Sequence, residues 1–104
     1  MTNEPIPNMT EIISELFSPF SFQSVTLFGS VVNGRFHEHS DIDIAVNTGR
    51  DFSLRDMGTL QTLKEELAQK TRTPVDLLVT NYMTLDDAIT QAIEREGVVI
   101  YEKG

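Results

Sequence analysis

The stretch LFGSVVNGRFHEHSDIDIAV, Leu27 to Val46, decides how the whole chain reads. It starts apolar, breaks at Gly29-Ser30, passes through ten mixed residues, and turns aliphatic again around Asp41-Ile42-Asp43. Strict alternation over DIDIAV has the period of a β-strand. Ile42, Ile44 and Val46 face one side; Asp41, Asp43 and Ala45 face the other. Carboxylates at i and i+2 therefore point the same way, with Cβ atoms roughly 6–7 Å apart. Two anions so placed repel unless a cation lies between them.

Working outward, Ser24 to Phe28 reads as a short strand entering the Gly-Ser break, and Val31 to Phe36 as a turn or two of helix weakened by Gly34. Upstream, Met9, Ile12, Ile13, Leu16, Phe17 and Phe20 recur at spacings of three and four and predict a helix from Asn8 to Phe20. Asn8 with Glu11 resembles a capping box, and Pro19 closes the segment. Downstream, Ser53 to Thr71 predicts the longest helix, with a stripe of Leu54, Met57, Leu60, Leu63 and Leu67. Ser53 and Asp56 cap it, and Gly58 weakens it. PVDLLVT follows as a strand with Pro74 at its start. A last helix is expected from Thr84, capped with Asp87 and closed by Gly97. VVIYE makes a final strand. This order, without repeats or linkers, predicts one α/β (α+β) domain over residues 1–104, a small mixed sheet with helices packed on it.

Bulk composition narrows the function classes. The chain has 104 residues, 39 % of them apolar, enough for one core and too few for a second lobe. A formal net charge of −8 disfavours stable binding to nucleic acid. Cysteine is absent, which removes disulfides and thiolate metal sites. The N-terminus lacks a signal-peptide pattern and no apolar run reaches membrane-spanning length, so a cytoplasmic protein without a membrane partner is expected.

The acids have two readings. Asp41 and Asp43 are either solvated residues at a loop end or oxygen ligands for a hard divalent ion such as Mg²⁺. Gly29-Ser30 is either an ordinary turn or a place where a phosphate approaches the backbone at a helix start. It is no Walker loop, for no lysine precedes Lys64. Asp76, interrupting the aliphatic run PVDLLV, either faces water or joins the first pair if its strand lies alongside. His37 and His39, in RFHEHSD, read as a solvent-facing loop pair rather than a zinc site. The leucine stripe reads as core.

Gly29-Ser30, ten residues, Asp41-Ile42-Asp43 and the later strand aspartate Asp76 together resemble the nucleotidyltransferase superfamily with the polymerase-β-like fold. Length and element order from about Val25 to Glu102 are similar to its minimal nucleotidyltransferase (MNT) members. Many of those are antitoxins paired with a HEPN-domain ribonuclease toxin. The resemblance implies a Mg²⁺-dependent enzyme, with two ions, that uses ATP. Asp41, Asp43 and Asp76 would be its catalytic and metal-binding residues, and Gly29 and Ser30 would hold the β- and γ-phosphates. The implied reaction is AMP transfer to a tyrosine of the HEPN toxin, the two proteins forming a hetero-oligomer.

The sequence departs from that family in one respect. Members often carry a basic residue just after the Gly-Ser, where Val31, Val32 and Asn33 stand here. Arg35 is the nearest cation in sequence, and its default is a surface position. Two other readings stay open: an antitoxin that only occludes its toxin, and the catalytic subunit of a two-subunit enzyme that modifies an antibiotic.

Overall fold

The structure is a computed structural model that describes residues 5–103. Met1 to Glu4 and Gly104, inside the expected 1–104 domain, lie outside the described residues. The elements run α1 (Met9–Phe17), a 3₁₀ turn (Ser18–Phe20), β1 (Ser24–Phe28), α2 (Ser30–Asn33), β2 (Ile42–Asn47), α3 (Leu54–Thr71), β3 (Val75–Val79), α4 (Asp87–Glu96) and β4 (Val98–Glu102). The expected mixed sheet is present, with strand order β3-β2-β1-β4. β1 pairs antiparallel with both β2 and β4, while β2 and β3 run parallel. A parallel pair needs a long crossover, and α3 provides it.

The alternation in DIDIAV divides the sheet into two faces. Ile42, Ile44 and Val46 are fully buried beneath α1 and α3, with Val25 and Leu27 of β1 beside them. Phe17, Phe22, Ile13 and Met9 fill the space above. Each such large side chain contributes about 1.5–3 kcal/mol on leaving water. The opposite face carries Asp43 and Ala45 on β2, Thr26 and Phe28 on β1, and Asp76 and Leu78 on β3. α4 packs against β1. Gly97, which ends α4, is close enough to Thr26 that a Cβ there would lie about 2.7 Å from the threonine methyl and collide with the Ile93 carbonyl.

Several local expectations are corrected. Asn8 precedes α1 but has left-handed backbone (φ 59°) and makes no side-chain cap. The Met9 N–H instead closes a turn onto the Ile6 carbonyl at 3.2 Å. Phe20 is 43 % exposed and stacks on Phe22, because the 3₁₀ turn at Pro19 rotates it off the helical stripe. Leu54 and Met57 are 85 % and 49 % exposed, so only Leu60, Leu63 and Leu67 of the stripe are core. The inward position in the first turn of α3 belongs to Asp56, which is buried. α4 is capped by Asp86, whose Oδ1 accepts the Ile89 N–H at 2.8 Å, and not by Thr84. Gly97 ends α4 in extended backbone, a glycine required by close packing rather than by a left-handed turn. The helix after Gly29 is a single turn that stops at Gly34 (φ 83°).

Candidate active site

The sheet brings together residues that are far apart in sequence. Phe28 pairs with Asp43, which places Gly29 at the edge of the Asp43 side chain. Asp43 in turn pairs with Asp76 in the parallel ladder. Neighbouring strands stand about 4.8 Å apart, so the two carboxylates rise side by side from one face. Asp41 precedes β2 by one residue and is exposed. Asp76 is also exposed, whereas Asp43 is half-buried. The Ile42 N–H donates to the Pro74 carbonyl at 2.9 Å and fastens the start of β3 to the start of β2.

Gly29 fits this geometry in a way other residues would not. Its φ of 76° is left-handed backbone, strained for any L side chain. A Cβ at this position would lie about 3.2 Å from Asp43 Cγ and would collide with its Oδ2. The glycine thus lets the strand end and the carboxylate touch. Its carbonyl accepts the N–H groups of Val32 (3.1 Å) and Asn33 (3.0 Å), opening the turn of helix that begins with Ser30. Ser30 is half-buried.

The electrostatics single out Asp43. Burial pushes its pKa up to about 6, and the charges of Asp76 and then Asp41 push the same way. The ion-pair contacts among the described residues, Arg50–Asp56 and His39–Glu38, involve none of the three. Hard oxygen donors bearing mutually repelling charge fit a hard divalent cation by type and charge. Among the described residues, however, no group of three or more acidic or histidine side chains is gathered as a ready-made metal cage. The set therefore suits an ion that takes one or two protein carboxylates and completes its shell with phosphate and water, as Mg²⁺ commonly does.

The loop between Asn33 and Asp41 is shaped by its own polar groups. Ser40 is buried, and its Oγ accepts the His37 N–H at 3.0 Å, a positioning contact the sequence reading did not include. His37 Nδ1 accepts the His39 N–H at 3.1 Å, and both imidazoles stand in the exposed loop as expected. Arg35 is exposed, with its backbone N–H held by Asn33 Oδ1 at 3.0 Å.

A second polar centre, also not foreseen, lies at the other end of β2 and β3. Asp56 receives Arg50 Nη1 at 2.6 Å and Nη2 at 2.8 Å, with the Ser53 N–H and hydroxyl at 3.0 Å each. Those contacts, Arg50 first, hold the Asp56 carboxyl well below the usual carboxylate range. Asn81 binds Thr48 and the Arg50 carbonyl, tying together the loops that leave the two strands. The Ser53–Asp56 capping box was legible in the sequence; an arginine reaching back from the preceding loop carries no spacing signal.

The comparisons agree with this architecture. The family model described as polymerase beta, nucleotidyltransferase matches residues 10–104. A toxin–antitoxin crystal structure with AMP-PNP is 25 % identical at a TM-score of 0.73, covering 90 % of this chain and 73 % of that one. A complex of tri-AMPylated HEPN toxin with MNT antitoxin from Shewanella oneidensis is 22 % identical at a TM-score of 0.65, over 91 % and 71 % of the two chains. A MntA toxin–antitoxin variant with two aspartates, two residues apart, changed to glutamate is 23 % identical at 0.73, over 90 % and 73 %. The last two likenesses speak to the fold alone. No curated protein sequence matches the chain.

Proposed function

The chain belongs to the polymerase beta nucleotidyltransferase family, and from that premise we propose that it transfers AMP from ATP to a tyrosine hydroxyl of a HEPN-domain toxin, acting as its antitoxin. The observation that carries this reading is the pairing of Asp43 with Asp76 in the ladder, with Gly29 pressed against the Asp43 carboxylate. A carboxyl raised to about 6, first by burial and then by two nearby carboxylates, is a site whose negative charge a cation would relieve. A solved toxin–antitoxin relative binds AMP-PNP, which supports an adenine nucleotide as substrate.

In this reading Asp41 and Asp43 hold Mg²⁺, with Asp76 beside them. When bound, the ions neutralise the clustered carboxylates and the triphosphate and polarise the reacting oxygens. The backbone at Gly29 and the Ser30 hydroxyl hold the β- and γ-phosphates. The acceptor oxygen forms a bond to the α-phosphorus as the bond to the bridging oxygen breaks. Pyrophosphate leaves with that electron pair, and the acceptor proton passes to Asp76, the exposed member of the ladder pair.

The test incubates the chain with Mg²⁺, ATP and a HEPN-domain protein supplied as partner, and reads intact masses. The partner is expected to gain one or more AMP masses, and Asp43→Asn to abolish the gain. Neutralisation of the partner without any mass change, surviving Asp41→Asn and Asp43→Asn, would overturn the enzyme reading in favour of occlusion.

A further inference from the structure

The face of the sheet that bears the carboxylates continues past them into a cleft. Thr80 lies four residues beyond Asp76, and its N–H still donates into the ladder, to the Val46 carbonyl at 2.9 Å. Its side chain is therefore on the same face as Asp76, about 13 Å away at 3.3 Å per residue. Between Thr80 and α4 opens a cavity of about 340 Å³. Met83, Leu85 and Ile93 line it with Thr90 and the acidic Glu94. Glu94 is exposed. The volume is at the small end of ligand pockets, roughly 300–1,000 Å³, and suits one long side chain rather than a helix.

We propose that this cleft anchors a lysine or arginine of the protein acceptor, holding its hydroxyl over the Asp43–Asp76 pair. Apolar walls ending in a carboxylate match a side chain with a methylene stem and a cationic head. The chain's formal net charge of −8 attracts a basic partner and speeds its capture. A polyanionic nucleotide would meet Glu94 with repulsion, which disfavours the cleft as its seat. The spacing is also suitable, since four residues of extended peptide span roughly 13–14 Å. The inference rests on the reading that the acceptor is a protein.

The probes are two fluorescent tyrosine peptides, one with arginine four residues from the tyrosine and one with glutamate there. Binding is measured to the full chain with Mg²⁺ and AMP-PNP, and transfer is measured separately with ATP. The arginine peptide is expected to bind at least tenfold more tightly. Glu94→Lys should reverse that preference, Glu94→Gln should erase it, and AMP-PNP affinity should stay unchanged in both. A preference that survives Glu94→Lys, or no preference in the parent chain, overturns the anchor. A loss of AMP-PNP affinity in Glu94→Gln also overturns it and gives the cleft to the nucleotide. Selective binding without AMP transfer to either peptide or to the HEPN protein leaves the anchor standing and sinks the transfer reading.

Discussion

Asp43 is half-buried and Asp56 buried, at opposite ends of the parallel pair β2 and β3, and their environments treat them in opposite ways. Asp56 has a bidentate arginine, a serine N–H and a serine hydroxyl, so its charge is welcome. Asp43 is partly desolvated and has two other carboxylates near it, so its charge is resisted and its pKa rises to about 6. The first arrangement stabilises the fold. The second costs stability and leaves a place where an added cation would be strongly favoured. Burial raises both carboxyls; the hydrogen bonds from Arg50 and Ser53 reverse that at Asp56, while the nearby carboxylates add to it at Asp43.

Substitutions should split along this line. The largest effect is expected for Asp43→Asn, which should lower transfer at least about 100-fold while raising stability at pH 8 by on the order of 1 kcal/mol. Turnover and urea unfolding on the same preparation check both signs. Gains or losses in the same direction would dissolve the contrast. Next, Gly29→Ala should abolish most activity and lower stability by about 1–3 kcal/mol, since it adds positive-φ strain and a clash with Asp43. Paired with Asp43→Ala, which makes room, part of the stability loss should return, readable as a thermal shift.

Asp56→Ala should cost about 2 kcal/mol through the lost cap and charged hydrogen bonds. Turnover per folded molecule should hardly change. The smallest effect is the pH dependence. Asp43 binds its proton more tightly folded than unfolded, so its contribution disfavours folding as pH rises from about 4 to about 6 and is constant above that. Asp56 has the opposite sign: its stabilisation is present above its unfolded value of 3.8 and is lost as pH falls towards its depressed folded value. Unfolding curves from about pH 2.5 to 8 should therefore show the gap between Asp43→Asn and the parent chain opening as pH rises to about 6, and the gap between Asp56→Ala and the parent chain narrowing only below about pH 4.

Much of this arrangement is legible in the residues. Alternation in DIDIAV correctly assigned Ile42, Ile44 and Val46 to the core and Asp43 to the other face. The bounds of β1 and β4 follow from the apolar runs, and the α3 cap from Ser53 and Asp56. What could not be read depends on competition or on distance. Asn8 and Thr84 have the right chemistry for caps, but a backbone turn at Ile6–Met9 and the side chain of Asp86 take the role. The stripe of α3 overruns the core because periodicity does not say where a helix leaves the sheet. The neighbouring positions of Asp43 and Asp76 depend on strand order, and the arginine on Asp56 depends on a loop conformation. Neither leaves a local pattern.

The place of Asp76 has one more consequence. β3 is an outer strand of the sheet, and apart from this residue its run Val75–Val79 is aliphatic. An exposed strand edge of that kind invites another chain to add itself, and a charge within the strand is a common defence. The charge of Asp76 stands where such a defence would act. A neutral replacement at position 76 should therefore be followed by particle size in solution as well as by rate.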